Sequence, residues 1–209
     1  MSSEAAVRFV VGLGNPEKKY EGTRHNIGFA VLGELRRRWE FGRAKEKFHA
    51  RCWSGELRRQ PVMLVAPQTY MNRSGLTVAE VMTFYKVAPE DVLVVLDDMA
   101  LPLGRLRGRA SGSAGGHNGL ADVLAAVGTE AIPRLRIGIG APTPGADAVG
   151  HVLDRFRGPE RPLAENAVRR ASDAVEDWAD KGMTFVMDRY NQDVPDSGRD
   201  QNGKANENV

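Results

Sequence analysis

Val92-Leu-Val-Val-Leu96 is a run of five consecutive apolar residues, and Asp97 and Asp98 follow it directly. A continuous apolar run of this length is typical of a strand covered on both faces, as in the centre of a parallel sheet. A strand with one solvated face would alternate apolar and polar residues instead. The run therefore predicts a central strand, and Asp97 is predicted to stand at its carboxyl end.

Strands and helices alternate along the rest of the chain. The β-branched residues from Val7 to Leu13 predict a strand that enters a loop at Gly14-Asn15-Pro16. Ile27, Val31 and Leu35 recur at four-residue spacing and predict a helix. Further predicted elements are a hairpin at 50–57 and 62–66 turning at Arg59-Gln60-Pro61, a short helix at 120–127, a strand at 134–139 and C-terminal helices from 163 to 190. A helix is also predicted after the hairpin, capped by Ser74 or by Thr77, since Thr77 to Glu80 fits a capping box. The alternation indicates an α/β protein with a mostly parallel or mixed sheet.

The composition is that of one globular domain. The chain has 209 residues, 42% of them hydrophobic and 27% charged, which is close to the average for globular proteins. Apolar residues are sparse after Asn191, so we expect one domain at 1–191 and a polar, disordered tail at 192–209. No apolar stretch approaches the roughly 20 residues of a membrane span, and no signal peptide is recognisable. With Cys52 as the one cysteine, the cytoplasm is the expected compartment.

The charge is distributed unevenly along the chain. The formal net charge is +2, but residues 191–209 hold two basic and four acidic residues, and 2 − 4 gives −2. The remaining residues therefore carry +4. A mildly basic body is compatible with a nucleic-acid partner without requiring one.

Several common sites are missing from the sequence. Gly12-Leu-Gly14 follows a predicted strand, but Glu17 occupies the third glycine position of a dinucleotide-binding loop. The phosphate-loop lysine motif and the Gly-x-Ser-x-Gly elbow are absent, and no histidine pair has metal-ligand spacing. These absences argue against cofactor chemistry and a serine nucleophile, and they favour side chains that act on water.

Three loops carry an asparagine in a similar setting: Gly14-Asn15-Pro16, Thr69-Tyr-Met-Asn72-Arg-Ser-Gly75 and Gly115-Gly-His117-Asn118-Gly119. One such asparagine is more simply a turn or cap residue. Three comparable loops favour a shared crevice, because loops at the carboxyl ends of strands converge in α/β sheets. An amide offers both a donor and an acceptor to a substrate with amide, carbonyl and hydroxyl groups.

His25 and Asp97 are the candidates for proton transfer. His25 precedes a predicted helix, and an imidazole is well suited to accept a proton near neutral pH. The local pattern alone slightly favours an ordinary surface or capping histidine, and Asp97 could equally bond the backbone at a loop entry. A carboxylate that fixes the tautomer of an imidazole is, however, a recurrent catalytic arrangement.

Arg105, Arg107 and Arg109 alternate along the chain, so in an extended strand they share one face. The glycine-rich loop Gly112-Ser-Ala-Gly-Gly116 follows them. Arginines beside such a loop suit phosphate binding. A solvated edge strand fits the pattern equally well.

Together these motifs resemble the bacterial-type peptidyl-tRNA hydrolases. The matching segments occur in the family's order and are Val10 to Pro16, Tyr20 to Gly28, Pro67 to Gly75, Asp97 to Gly104, Gly115 to Leu120 and Arg134 to Gly140. The resemblance extends from about Val7 to Asn191. It implies a single α/β domain with a twisted mixed β-sheet flanked by helices. It also implies a monomer with no metal, no cofactor and no obligate protein partner.

The resemblance implies a role for each matching position. His25 matches the catalytic histidine and Asp97 the carboxylate that supports it. Positions that line the crevice for the peptide and the 3′ nucleotide match Asn15, Tyr20, Met71, Asn72, His117 and Asn118. Arg107, Arg109 and Arg136 match tRNA-contacting positions, and Arg105 lies on the same predicted face. Ala100 departs from the family, since many members have an aspartate there, and we expect a local loop difference rather than lost chemistry.

The implied reaction is hydrolysis of the ester that joins a peptide to the 3′ end of tRNA, which recycles tRNA from stalled translation. Neutral His25 would take a proton from water while Asp97 orients it, and Asn15 or Asn72 would stabilise the oxyanion. The arginines would hold the acceptor stem. Two alternatives remain. One is a non-catalytic RNA-binding relative, such as a chloroplast group II intron splicing factor. The other is a nucleoside phosphorylase-like enzyme, whose phosphate pocket is not evident in the sequence.

Overall fold

The computed structural model describes residues 6–143 and 145–192. The predicted tail at 192–209 therefore lies outside the described residues, except for residue 192. The strands are β1 (Arg8–Gly12), β2 (Lys45–Lys47), β3 (Ala50–Leu57), β4 (Gln60–Pro67), β5 (Val92–Asp98), β6 (Leu106–Arg109) and β7 (Arg134–Gly138). The helices are α1 (Ile27–Arg38), α2 (Ser74–Tyr85), α3 (Asn118–Val127), α4 (Ala148–Leu153) and α5 (Glu160–Tyr190). Short 3-10 turns at Arg24–Asn26 and Met71–Arg73 precede α1 and α2.

The seven strands form one mixed sheet in the order β2-β3-β4-β1-β5-β7-β6. The four inner strands β4, β1, β5 and β7 are parallel, while β2, β3 and β6 add antiparallel edges. All seven residues of β5 are buried, as expected of a strand covered on both faces. The prediction of a mixed α/β sheet with Val92 to Leu96 at its centre is therefore confirmed.

Helices cover both faces of the sheet, which gives two hydrophobic layers. On one face, α1 and α5 pack against alternate strand residues such as Val10 and Leu64. On the other, α2 and α3 pack against Phe9, Val11 and Val65. Neighbouring residues of β1 serve opposite layers because successive side chains of a strand point to opposite faces.

Two local predictions are wrong. The hairpin turns at Arg58 and Arg59, which both have positive φ (48° and 71°), while Gln60 and Pro61 are already paired in β4. The sequence pattern predicted that Pro61 belongs to the turn, but Pro61 pairs with Glu56 near the end of the β3–β4 ladder. Neither Ser74 nor Thr77 caps α2, because the helix begins at Ser74 with Arg73 at the N-cap position, and Thr77 is buried inside the helix.

The C-terminal helical region, Glu160–Tyr190, consists of two helical stretches that meet at a kink and are labelled α5 together. α5 runs for 31 residues with one non-helical residue, Gly182 (φ 81°, ψ 178°), where the helix kinks. Glycine adopts this conformation without the steric cost that a Cβ would add. Strand β2 and helix α4 were not predicted, because each is short and lacks a periodic apolar pattern. None of the helices in the described ranges is both long and apolar enough to span a membrane.

Candidate active site

His25 and Asp97 meet at the carboxyl end of the sheet. His25 lies in the turn before α1, and Asp97 lies near the end of β5. His25 Nδ1 is 2.8 Å from Asp97 Oδ1, and the side chains are 13% and 3% exposed respectively. Because the carboxylate faces Nδ1, that nitrogen carries the proton, and Nε2 is left as a base. No other described residue bonds the imidazole.

His117 contacts the same carboxylate oxygen from the other side. Its Nε2 is 3.0 Å from Asp97 Oδ1, and its ring centroid is 5.1 Å from that of His25. The backbone N–H of Leu120 donates to Nδ1 of His117 at 3.2 Å. Since Nδ1 accepts a hydrogen bond, the proton of a neutral His117 sits on Nε2 and points at Asp97. The protein backbone thus fixes the tautomer of this second histidine, which also caps α3.

Two opposing effects act on the Asp97 carboxyl. Burial alone would raise its pKa, but hydrogen bonds from His117 and His25 outweigh that effect and hold the pKa below its ordinary value. Asp97 is therefore a carboxylate at neutral pH. An ionised carboxylate accepts two N–H groups without needing a proton of its own.

These three side chains are also the group of potential metal ligands found among the described residues, with ligand atoms within 4.8 Å of one another. Both imidazole nitrogens converge on one oxygen at hydrogen-bonding distance. That geometry suits hydrogen bonds from the two imidazoles to the carboxylate. The ligand atoms of a metal ion would instead surround a common centre.

Asn15 and Asn26 form a hydrogen-bonded pair beside His25. The backbone N–H of Asn15 donates to Asn26 Oδ1 at 2.8 Å, and Asn26 Nδ2 donates to the Asn15 carbonyl at 2.9 Å. The Asn15 side-chain oxygen accepts from the backbone N–H of Met71 at 2.9 Å. This contact orients the Asn15 amide, whose Nδ2 donor has no hydrogen-bond partner among the described residues. Asn26 was not assigned a site role from the sequence, although it adjoins His25 in the Arg24-His25-Asn26 motif.

A close backbone approach fixes where the His25 turn sits. Gly28 opens α1 against β1 and β5, and a Cβ there would lie 2.5 Å from the Leu13 carbonyl oxygen and 2.6 Å from that of Val95. Real Cβ atoms do not approach backbone so closely, so only glycine fits. The glycine therefore brings His25 within reach of the end of β5.

The remaining crevice candidates are less tightly held. Asn72 and Asn118 are exposed at the starts of their helical segments. Tyr20 is half-buried, and its ring lies 4.8 Å from the Lys19 ammonium. Tyr70 was not assigned a role, yet it is 52% exposed and its hydroxyl bonds Glu17 across the crevice loops.

The arginines in and immediately before β6 form a second, separate feature. Arg105, Arg107 and Arg109 line a pocket of about 430 Å³ together with Pro102 and Asn191. The three arginines therefore lie on one face, as predicted. Arg107 and Arg109 are exposed, and neither forms an ion pair with a described residue. Both side-chain ends of the Asn191 amide bond the backbone of Gly108, at 2.6 and 3.0 Å, which holds this edge strand in place.

Arg136 links this basic surface to the crevice. It pairs opposite Arg107 on the neighbouring strand, and its Nε is 3.0 Å from Asp98 Oδ2. The other oxygen of Asp98 accepts the backbone N–H of Ala100 at 2.9 Å. The residue at 100 thus contributes its backbone N–H, and not its side chain, to this contact.

Arg134 holds the glycine-rich loop from beneath. It is 2% exposed, and its guanidinium donates to the carbonyl oxygens of Gly112, Ser113, Glu130 and Ile132. Burial lowers the pKa of Arg134. Although it lies beside Arg136 in the sequence, Arg134 is directed into the fold and not toward a phosphate.

A groove of about 1120 Å³ reaches Asn15 and Asn26 from the side of α1 and α5. Its wall includes Phe29, Phe156 and Val168. His25 and Asp97 do not line this groove.

Comparison with known proteins identifies the family. The family model for peptidyl-tRNA hydrolase matches residues 9–198. A peptidyl-tRNA hydrolase of Synechococcus sp. (strain JA-3-3Ab) is 48% identical over 189 residues, which is 90% of this chain and 84% of that protein. One from Brevibacillus brevis is 43% identical over 185 residues, which is 88% and 98% of the two chains. The crystal structure of the Acinetobacter baumannii enzyme superposes with a TM-score of 0.82 at 35% identity, over 91% of this chain and 97% of that one. The chain belongs to the peptidyl-tRNA hydrolase family.

Proposed function

We propose that this protein hydrolyses the ester between a peptide and the 3′ end of tRNA, with His25 as general base. One observation carries the proposal. Asp97 holds Nδ1 of His25 at 2.8 Å and so leaves Nε2 as a proton acceptor at the carboxyl end of the sheet. Family membership supports the substrate class.

The reaction begins when His25 Nε2 removes a proton from water as the water oxygen attacks the ester carbonyl carbon. Asp97 stabilises the imidazolium that forms. Asn15 is the better placed of the two predicted oxyanion donors, because Met71 orients its amide through Oδ1. The ester C–O bond then breaks, and the imidazolium returns its proton to the departing ribose oxygen.

The exposed amides are proposed to recognise the substrate. Asn72 and Asn118 stand at the starts of adjoining helical segments, where they can meet the peptide amides. A site built to bond an N–H or C=O group disfavours a ligand that lacks it. This recognition would select peptidyl-tRNA over aminoacyl-tRNA.

The basic surface is proposed to hold the acceptor stem. Arg105, Arg107, Arg109 and Arg136 present guanidinium groups near one edge of the sheet, and such groups bind phosphate without reading sequence. We also propose that the protein acts as a monomer in the cytoplasm and needs no protein partner for this reaction.

The test is hydrolysis of an N-blocked aminoacyl-tRNA, with unblocked aminoacyl-tRNA as the competing substrate. We expect the blocked substrate to be cleaved and the unblocked one to be spared. The His25→Ala variant is the matched control for contaminating activity. Tight tRNA binding without any turnover by the unaltered protein would instead favour the non-catalytic RNA-binding alternative.

A further inference from the structure

Arg24, immediately before His25, is buried among charged partners and does not face solvent. It is 5% exposed. Its Nη2 donates to both carboxylate oxygens of Glu160, at 2.9 and 2.8 Å. Its Nη1 donates to the Arg155 carbonyl at 2.9 Å, and its guanidinium lies 5.1 Å from the centre of the Phe156 ring. Both terminal nitrogens of Arg24 are therefore bonded to protein groups, while its buried Nε has no hydrogen-bond partner among the described residues.

The backbone of the same turn is attached to the same segment. The Arg24 N–H donates to the Asp154 carbonyl at 3.0 Å, and Thr23 forms an isolated antiparallel bridge with Arg155. The segment from 154 to 160 leads directly into α5. The turn that carries His25 is thus held by backbone contacts to the segment that leads into α5.

The two neighbours of His25 anchor it in different directions. Asn26 ties the turn to the loop after β1 through its two bonds with Asn15. Arg24 ties the turn to Glu160, 136 residues away in the sequence. An imidazole between two such anchors has little freedom, and its 2.8 Å contact with Asp97 depends on where the turn is held.

We infer that Arg24 is a positioning residue for His25, and that its paired contact with Glu160 sets the distance from the imidazole to Asp97. This inference rests on the proposed function of His25 as the base. Small misplacements of a catalytic group reduce the rate strongly while substrate binding persists. The planar fork of arginine spans two partners, because Nη1 bonds the Arg155 carbonyl while Nη2 bonds the Glu160 carboxylate. A lysine ammonium has a single nitrogen and cannot reproduce that spacing.

Arg24→Lys is the first test, measured as kcat and KM on an N-blocked aminoacyl-tRNA. We expect kcat to fall on the order of tenfold with little change in KM, because the charge stays but the fork is lost. Arg157→Lys is the matched control, since Arg157 makes an exposed ion pair with Asp154 in the same segment at 3.0 Å. That control should keep its kcat. A wild-type kcat in Arg24→Lys would overturn the inference.

The second test separates positioning from stability. The double variant Arg24→Met with Glu160→Leu replaces the partly buried ion pair by apolar side chains, and the exchange of an ion pair for apolar groups often preserves stability. We expect its melting temperature to recover relative to Arg24→Met alone, while kcat stays low. If kcat recovered together with the melting temperature, the pair would serve stability alone and the inference would be wrong.

A third measurement needs no turnover, so it distinguishes failure of this inference from failure of the proposed function. The carbon-bound imidazole proton resonance of His25 is assigned by its loss in His25→Ala. It should move in Arg24→Lys and stay in place in Arg157→Lys. If the unaltered protein hydrolysed nothing, the proposed function would fail, and this resonance would still test whether Arg24 positions His25. An unmoved resonance in Arg24→Lys would overturn the positioning role.

Discussion

The crevice around His25 and the arginine edge at β6 hold their polar groups in opposite ways. In the crevice, Asp97 is 2% exposed and bonded by two histidines. On the edge, Arg107 and Arg109 are exposed and form no ion pair with a described residue. Chemistry needs groups whose positions are fixed before substrate arrives, whereas phosphate binding needs charge that remains available. The contrast predicts that substitutions in the crevice reduce turnover, while substitutions on the edge reduce affinity.

His25→Ala should have the largest effect on turnover and should distinguish the two regions most clearly, because it changes kcat and not tRNA affinity. Loss of the general base should lower kcat on the order of 10² to 10⁴. The fold and tRNA affinity should remain, because the imidazole contacts Asp97 and not the arginine edge. Steady-state hydrolysis and a tRNA binding titration on the same preparation measure both. Near wild-type turnover would remove His25 from the mechanism.

Asp97→Asn should follow, with lower kcat and an altered pH dependence. An amide cannot stabilise an imidazolium as a carboxylate does. Because the pKa of Asp97 is held below its usual 3.8, this group stays ionised in neutral and mildly acidic solution. Comparing the pH dependence of the rate in the unaltered protein and in Asp97→Asn therefore reports whether the Asp97 carboxylate acts on His25. An unchanged kcat and an unchanged profile would exclude the role.

The same shift has a consequence for stability. A carboxyl whose pKa is lower in the folded state stabilises the fold above its unfolded pKa, and that contribution is lost as the pH falls through the folded value. Asp97 should therefore stabilise the unaltered protein at neutral pH, with loss only below about pH 4. Acid unfolding of the unaltered protein and of Asp97→Asn, followed by circular dichroism, compares the two.

Arg107→Ala combined with Arg109→Ala should have a smaller effect that depends on salt. Each lost phosphate contact should flatten the salt dependence of tRNA affinity by roughly one unit of slope. A minimal substrate, a blocked amino acid on a short 3′ fragment, carries few of these phosphates and should be cleaved almost normally. Full-length and minimal substrates are compared at two salt concentrations. Equal losses on both would place the arginines in the chemical site or the fold.

The smallest expected effect concerns Cys52, which belongs to neither region. Burial raises the pKa of its thiol to about 11, and the side chain is 4% exposed. The reactive thiolate is therefore scarce at neutral pH. Alkylating reagent at pH 7 should leave both the mass of the folded protein and its hydrolysis unchanged. Rapid labelling of the folded chain would contradict this burial.

Sequence patterns located the main elements and most of the candidate residues. Val92 to Leu96 predicted the central strand because a doubly covered strand must be apolar on both faces. The alternation of Arg105, Arg107 and Arg109 predicted their shared face because the side-chain period of a strand is two. Such signals are local, so they are readable without the fold. The position of the hairpin turn was not predicted correctly, because Arg58 and Arg59 adopt positive φ and no glycine marks the turn in the sequence.

The chain by itself thus determined the α/β layers, the family motifs and the position of His25 at the entry to a helix. Only the tertiary structure decided which partners those residues have. His117 shares Asp97 Oδ1 with His25 across 20 residues of sequence, and Arg24 meets Glu160 across 136. The tertiary structure also gives different partners to two arginines that are close in sequence. Arg134 is buried under the glycine-rich loop, whereas Arg136 reaches Asp98. Contacts between distant segments depend on how the sheet and helices pack, and a local pattern carries no record of that packing.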